Sequence, residues 1–428
     1  MLLARALGFD HISDDDFARV TLAQTFAVAP KLDPSGTSWL PFPFWAVGSV
    51  LALVGRSFRH AIGASIGIAS VAAALPYLAL RIKGTGRARA LVATMLAFGT
   101  PWALWLGAAP VPESMTASLS AAGVVGMTSL IGEGPTPSPE RDVFFRAAFC
   151  LAIFAACLSR YEAWPVAAVL VLALSWAAVR ARGTHRFILI GCALACAAGP
   201  LAWMAWNAHA HDGPLHFFRR VSNYKRALGA GSTDGLSALV FYPRLFIHTR
   251  PELVVATLAL LPALRLQAIR KTWTLPLLAV AAQVAFLSYG SVNDGAPTHH
   301  SERALCGAWV LLALFVAEVG HLQLTTVYQH RGKPGASFVL AGFFALWLGA
   351  CWRTREPPGK TASEDRTPQL AQGAQLAADG VQSLELRPCA YEHFALIAAF
   401  GAPERVTVVK APPTASPPFA PCPSIQVR

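Results

Sequence analysis

Runs of about 20 residues with almost no internal charge recur along this sequence, at 60–80, 89–108, 113–131, 143–158, 162–180, 186–206, 252–268, 273–290, 303–320 and 336–352. That is the length a helix needs to cross a hydrocarbon core of about 30 Å. Inside lipid the backbone must satisfy its own polar groups, and the runs do not alternate in hydropathy as barrel strands do, so they predict a helical bundle. Composition agrees: 54% of residues are hydrophobic and only 14% charged, with a mean hydropathy of +0.46, far from the balance of a soluble domain. The expected fold is an all-α polytopic membrane bundle of about ten transmembrane helices, or eleven if the N-terminus is truncated, with a small C-terminal α/β extracytoplasmic domain.

A net charge of +12 would point to nucleic acid in a soluble protein, but most of the basic residues stand at the ends of apolar runs. They are a topology signal, and no nucleic-acid partner is expected. Arg81, Lys83, Arg87 and Arg89 share one connection, Arg180, Arg182 and Arg186 another, Arg265, Arg270 and Lys271 a third, and Arg331 with Lys333 a fourth. Counting ten spans in order puts all four on one side, which is then cytoplasmic. The termini, the 207–251 loop and the 353–428 tail fall on the periplasmic side of an inner membrane. The 207–251 loop is itself basic, with Arg219, Arg220, Lys225, Arg226, Arg244 and Arg250, but long loops obey the rule poorly.

Three regions follow. Residues 1–56 hold an apolar stub, a polar stretch at 9–41 containing SDDDFAR, and the run opened by WLPFPFW at 42–55. That run has prolines at its start and arginines at its end, and reads as a juxtamembrane helix or half-span along the outer surface. Residues 57–352 form the bundle. Residues 353–428 begin with the linker REPPGKTASEDRTPQ and continue as a helix at 369–379, a strand in SLELR, a helix in YEHFALIAAFG and a strand in RVTVV, a short βαβ unit expected to pack over the outer loops. The proline-rich end at 412–423 reads as extended. Cys150, Cys157, Cys192, Cys196, Cys306 and Cys351 lie in apolar runs as small hydrophobes, while Cys389 and Cys422 are alone in the tail, where a disulfide between them is open.

Four constellations carry chemistry. Asp14, Asp15 and Asp16 repel one another unless something uses them; a carboxylate at the outer interface can take a proton from an acceptor hydroxyl, and the plainer alternative is a solvated loop with Asp16 paired to Arg19 at i,i+3. SRYEAWP sets Arg160, Tyr161 and Glu162 between two spans on the same face, either as a functional ion pair or as side chains that snorkel from a tight hairpin. Glu113 in APVPESM stands at an outer helix start, where the helix dipole alone favours it. THHSERAL brings His299, His300, Glu302 and Arg303 to the outer end of the 303–320 run, a set suited to a phosphate, to a metal through the His pair, or to an ordinary polar loop. The segment NAHAHDGPLHFFRRVSNYKR reads as an amphipathic surface helix, in contact with lipid headgroups or with a donor phosphate.

In their order, these residues resemble the GT-C superfamily of integral-membrane glycosyltransferases, which includes the protein mannosyltransferases and the lipid A aminoarabinose transferases. SDDDFARV before WLPFPFW resembles its first outer loop, PVPESM its second outer turn, LSRYEAWP its Arg-Tyr-Glu hairpin, and WNAHAHDGPLHFF its Asn followed by Gly-Pro-Leu and Phe; the similarity runs from about residue 9 to 320. The resemblance implies a transferase that moves a sugar from a polyprenyl-phosphate donor to a lipid, glycan or protein acceptor with inversion. It assigns the catalytic acid pair to Asp15 and Asp16, with Asp15 leading and Asp14 dispensable. Substrate binding falls to Glu113, Arg160, Tyr161, Glu162, His299, His300 and Arg303. No cofactor is implied, and a divalent cation is left open. The family begins with a full membrane helix before its acidic loop, where this sequence has only MLLARAL, which points to a start placed too late or to a chain inactive as given.

Two readings from other classes stay beside this one: a transporter or flippase of a lipid-linked substrate, which would place charges near mid-membrane and break its helices in paired halves, and a non-catalytic scaffold whose tail binds a partner.

Overall fold

The computed structural model describes residues 1–6, 9, 11–131, 139–227, 235–293, 300–330, 365–387, 391–409 and 426–427, with isolated positions between 342 and 349. The stub is a short helix, α1 (Leu2–Ala6). The polar stretch is not a loop throughout: its acidic motif opens α2 (Asp14–Val28). After residues 29–41 comes α3 (Phe42–Val54), whose 13 residues are too few to span. The bundle follows as α4 (Phe58–Ile82), α5 (Arg87–Phe98), α6 (Pro101–Ala108), α7 (Glu113–Ile131), α8 (Pro139–Cys157), α9 (Trp164–Arg180), α10 (Gly183–Ala210), α11 (His216–Ala227), α12 (Gly235–Thr249), α13 (Pro251–Leu260), α14 (Gln267–Val292) and α15 (Cys306–His330).

Among the described residues, five helices are long and apolar enough to cross a bilayer, or seven if each bent pair is one span, where the sequence predicts about ten. The difference has physical causes. The 89–108 run is broken between α5 and α6, which meet at 76°, and the 252–268 run begins with α13, only 10 residues long and bent by 91° from α12 before it; Pro101 and Pro251 stand at the second helix of each pair and cannot continue the first. The 113–131 run is α7, the central helix, packed against α4, α8, α14 and α15. It is buried within the bundle along most of its length, so it tolerates Ser114, Thr116, Ser118 and Ser120, all buried. Thr116 and Ser118 return their hydroxyls to carbonyls four residues back. Gly123 and Gly126 leave its backbone open to Ile153 and Phe149 of α8, the small-residue contact common between membrane helices. The 336–352 run and Cys351 lie almost wholly outside the described residues.

The end of the bundle that carries the basic connections is closed by a knot around Glu318 of α15. Its buried carboxylate accepts from Lys83 Nζ, from Thr85 Oγ1 at 2.7 Å and from Trp273 Nε1 at 3.0 Å, with Arg89 at 3.8 Å. Residues of the α4–α5 connection, α14 and α15 are thereby tied at one point.

The tail folds as α16 (Thr367–Ala378), β1 (Leu384–Arg387), α17 (His393–Phe400), β2 (Val406–Val408) and β3 (Gln426–Val427). Strands β1 and β2 are parallel, with Leu384 opposite Val406, and α17 is the crossover between them; β3 adds antiparallel to the other edge of β1. A Cβ at Gly373 of α16 would collide with the Leu396 carbonyl, so the two helices touch backbone to backbone there. On one side of α17, Leu396 and Ile397 cover Leu384 and Leu386. On the other, Ala395 and Ala398 join Phe17, Val20 and Ala23 of α2, with Leu51 and Ala61. A unit this small cannot bury both faces of its helix alone, and α2 supplies the second layer. Gln24 fixes the contact, its Nε2 donating to the carbonyls of Arg56 and Ala398 at 2.8 Å each, and Arg56 holds both oxygens of Glu404 at 2.8 Å. Cys389 and Cys422, and the proline-rich segment between 412 and 423, lie outside the described residues.

Candidate functional site

Ser13 is extended and Asp14, Asp15 and Asp16 form the first turn of α2, where free N–H groups and the helix dipole favour negative charge. Successive side chains on a helix diverge by about 100°, so the three carboxylates have three fates. Asp16 turns inward: its side chain is wholly buried and its Oδ2 accepts from the Ile12 N–H at 2.8 Å. Burial pushes its carboxyl up to about 7, although the Ile12 N–H and the Arg303 charge pull it down. Asp15 remains half open, 52% exposed, with Oδ2 4.0 Å from Arg303 Nη2. Asp14 faces the tail and is held by Arg366, whose Nε and Nη2 reach its two oxygens at 2.7 Å each. Arg19 does not serve Asp16 as the i,i+3 spacing allows; its guanidinium lies over the Trp39 ring at 4.3 Å.

Glu113, at the first position of α7, is buried and accepts from Arg160 Nη1 at 2.6 Å, with Arg303 Nε at 3.7 Å. Arg160 spends its other nitrogens on Glu162, Nε at 3.0 Å and Nη2 beside it. The result is one chain of alternating charge, Asp15, Arg303, Glu113, Arg160, Glu162, drawn from four parts of the sequence. Within it, Arg160 is fully engaged, whereas both ion pairs of Arg303 are longer than a hydrogen bond, so its planar fork stays available to an anion.

The Arg-Tyr-Glu hairpin puts its residues to different uses. Tyr161 turns away from the acids: its hydroxyl donates to the Ser38 carbonyl at 2.7 Å, accepts from Trp203 Nε1 at 3.1 Å, and its ring stacks on Phe217 at 4.4 Å. It fastens residues 29–41 to α10 and α11. His300 has φ 47°, ψ 54°, a left-handed conformation that begins the turn Ser301–Leu305 and so aims Arg303. His299 lies outside the described residues. The structure thus gathers Asp15, Asp16, Glu113, Arg160, Glu162 and Arg303. It also supplies Tyr242, wholly buried on α12, which nothing in the surrounding sequence marks.

Beside this chain an apolar groove of about 690 Å³ runs between α3 and α4, lined by Phe42, Val54, Ile68, Leu75, Met115 and Leu119, with Arg59 and His60 at the first turn of α4. Ile68 and Met115 also line a smaller pocket that reaches Arg19 and Pro112, the residue before Glu113. Among the described residues, no three His, Cys, Asp or Glu side chains converge as ligands for a metal ion.

No protein-family model and no curated protein matches the sequence. Solved structures do. The crystal structure of ArnT from Cupriavidus metallidurans in the apo state is similar over 92% of this chain and 72% of that one, with 14% identity and a TM-score of 0.50. The archaeal oligosaccharyltransferase AglB from Archaeoglobus fulgidus, in complex with an inhibitory peptide and a dolichol-phosphate, is similar over 86% of this chain at 12% identity and a TM-score of 0.47, and this chain spans 54% of its length. Its apo form gives 12% identity, 95% and 62% coverage and a TM-score of 0.47. The likeness to ArnT is one of fold, and ArnT is a GT-C membrane glycosyltransferase.

Proposed function

We propose that this integral membrane protein, whose fold is that of the GT-C glycosyltransferases, transfers a sugar with inversion from a polyprenyl-phosphate donor to an acceptor hydroxyl at the periplasmic face of the membrane. The observation that carries the reading is the half-open Asp15 carboxylate facing Arg303, in a charged cluster whose Glu113 directly follows Pro112, a lining residue of the pocket that adjoins the apolar groove. Asp15 takes the proton from the acceptor hydroxyl as its oxygen bonds to the anomeric carbon from the side opposite the phosphate. The bond from that carbon to the phosphate oxygen breaks, the electron pair leaves with the lipid phosphate, and Arg303 meets the charge that develops there. Glu113 and Arg160 hold Arg303 in place, and Asp16 shapes the turn that carries Asp15. The groove suits a prenyl chain, being apolar along its length and open toward lipid.

A transporter of a lipid-linked substrate is the second reading, favoured by the two bent helix pairs. Against it, the ionised clusters sit at opposite ends of the bundle: Arg303 and Glu318 are fifteen residues apart along one element, about 22 Å at helical rise. Incubation of the purified chain in nanodiscs with radiolabelled polyprenyl-phosphate sugars and a membrane extract separates the two. Label leaving the donor and appearing in an acceptor is the expected result. Donor left intact with every common sugar, together with movement of that donor between leaflets of proteoliposomes, would overturn it in favour of transport.

A further inference from the structure

Asp14 and Arg366, 352 positions apart, form a bidentate pair at 2.7 Å in which both side chains are mostly buried. The place of this pair matters more than its strength. The first turn of α2 carries three adjacent carboxylates, and its N-cap Ser13 makes no side-chain capping bond. Such a turn frays unless something outside the helix holds it. Phe17, Val20 and Ala23 anchor the body of α2 on α17, Gln24 anchors its far end, and Asp16 accepts from the Ile12 N–H, but none of these contacts involves Asp14 or Asp15. Nor does Arg303 hold Asp15 by itself, since their 4.0 Å separation exceeds a hydrogen bond. The tail also reaches the open side of the site: Tyr391 meets Tyr224 of α11, hydroxyl to hydroxyl at 3.4 Å. That contact, burial and the nearby charge of Asp15 push the Tyr224 hydroxyl up to about 12.

We propose that Arg366 is a positioning residue for the site: by clamping Asp14 it fixes the first turn of α2 so that Asp15 faces Arg303, which makes the C-terminal α/β unit a working part of the active centre. The inference rests on the transferase reading above for its effect on turnover, and on the geometry alone for its effect on α2. A displacement of about 1 Å at a reacting group is enough to lower a rate by up to about 10²-fold, and the neighbouring position in a turn transmits any movement of Asp14 to Asp15 directly. Asp14 is therefore not dispensable, contrary to what the sequence implies for it.

The test uses the full chain in nanodiscs, with Arg366→Gln, Arg366→Lys, Asp14→Asn, the Asp14→Asn/Arg366→Gln double variant, and Arg56→Gln as a break in the tail's other ion pair. Turnover and KM for a radiolabelled polyprenyl-phosphate sugar are read beside amide hydrogen exchange of residues 13–28. The expected result is a fall in kcat of about 10-fold to 10²-fold in either single variant with the donor KM little changed. The double variant should be no worse than either single, Arg366→Lys intermediate, and Arg56→Gln unchanged in kcat. Exchange should quicken at residues 14–18 and hold at 22–28. Unchanged kcat in Arg366→Gln, an equal loss in Arg56→Gln, or unchanged exchange in the first turn would each overturn the clamp. If the unaltered chain consumes no donor, the transferase reading falls, and the exchange pattern still decides whether Arg366 fixes this turn.

Discussion

Arg160 Nη1 lies 2.6 Å from Glu113 Oε1 across 47 positions of sequence, and among the described residues Glu113 has no other hydrogen-bonded cation, while Arg160 also holds Glu162. Both residues are largely buried. Removing one partner of such a pair strands the other charge and typically costs about 3–5 kcal/mol. Glu113→Gln and Arg160→Met are each expected to lower the thermal transition in detergent by that order, and the double variant by clearly less than the sum, because Glu113 is then no longer stranded and only Glu162 lacks its arginine. Additive losses in a melting series would show that the two residues act independently.

Asp16 makes stability depend on pH in a direction opposite to that of most carboxylates. Its ordinary value is 3.8 and burial raises it to about 7 in the folded chain. Between these values the folded protein holds a proton that the unfolded chain has lost, so stability falls as pH rises. The contribution is fully present below about pH 4 and is lost as pH rises through about 7, with a slope of at most about 1.4 kcal/mol per pH unit. Asp16→Asn, which cannot ionise, should flatten thermal stability measured between about pH 5 and 8 and should gain on the parent at the alkaline end. A slope unchanged by the substitution would assign the pH dependence to another group.

How much of this was legible beforehand differs from residue to residue. The apolar runs marked where helices form, because a span needs length and apolarity and both are local. They did not reveal the bends after Phe98 and Thr249, nor that α7 sits at the centre, where buried hydroxyls serve their own backbone. Asp15, Glu113, Arg160, Glu162 and Arg303 could be picked out because charge beside an apolar run is costly and needs a use. The Arg160–Glu162 pair could be read from its hairpin, but the approach of Arg160 to Glu113 and of Arg303 to Asp15 and Glu113 could not, since those partners come from different helix ends. The sequence around Tyr161 gives no sign that its hydroxyl is taken by Ser38 and Trp203, and Asp14 looked idle because Arg366 is 352 residues away.

At the opposite end of the bundle, Glu318 is expected to matter for stability and not for chemistry. It holds Lys83, Thr85 and Trp273 together, and none of these touches the acidic site. Glu318→Ala leaves a mostly buried lysine and Arg89 without their carboxylate, a loss of about 3–5 kcal/mol. Turnover per folded molecule should stay near that of the parent, since about 22 Å of helix separates Glu318 from Arg303. Measured on the detergent-purified variant after removal of aggregate, a drop in kcat larger than the drop in folded fraction would contradict this division.

Asp15 is the residue on which the chemistry is expected to turn. Three aspartates stand side by side, and the fold has already disposed of two: both oxygens of Asp14 are held by Nε and Nη2 of one arginine, and Asp16 is sealed from solvent with its Oδ2 on the Ile12 N–H. Asp15 alone combines 52% exposure with a cation at 4.0 Å, which is what a group needs if it is to meet an incoming hydroxyl while ionised. Asp15→Asn keeps the volume and the helical turn but removes the basic oxygen, so insertion and melting temperature should be preserved while turnover falls by about 10²-fold or more. Asp15→Glu, which keeps the carboxylate and moves it by one methylene, should recover part of that loss. Donor consumption at saturating acceptor is the measurement. Parental turnover in Asp15→Asn, or a deeper loss in Asp16→Asn at equal folding, would move the role of base from the open carboxylate to the sealed one.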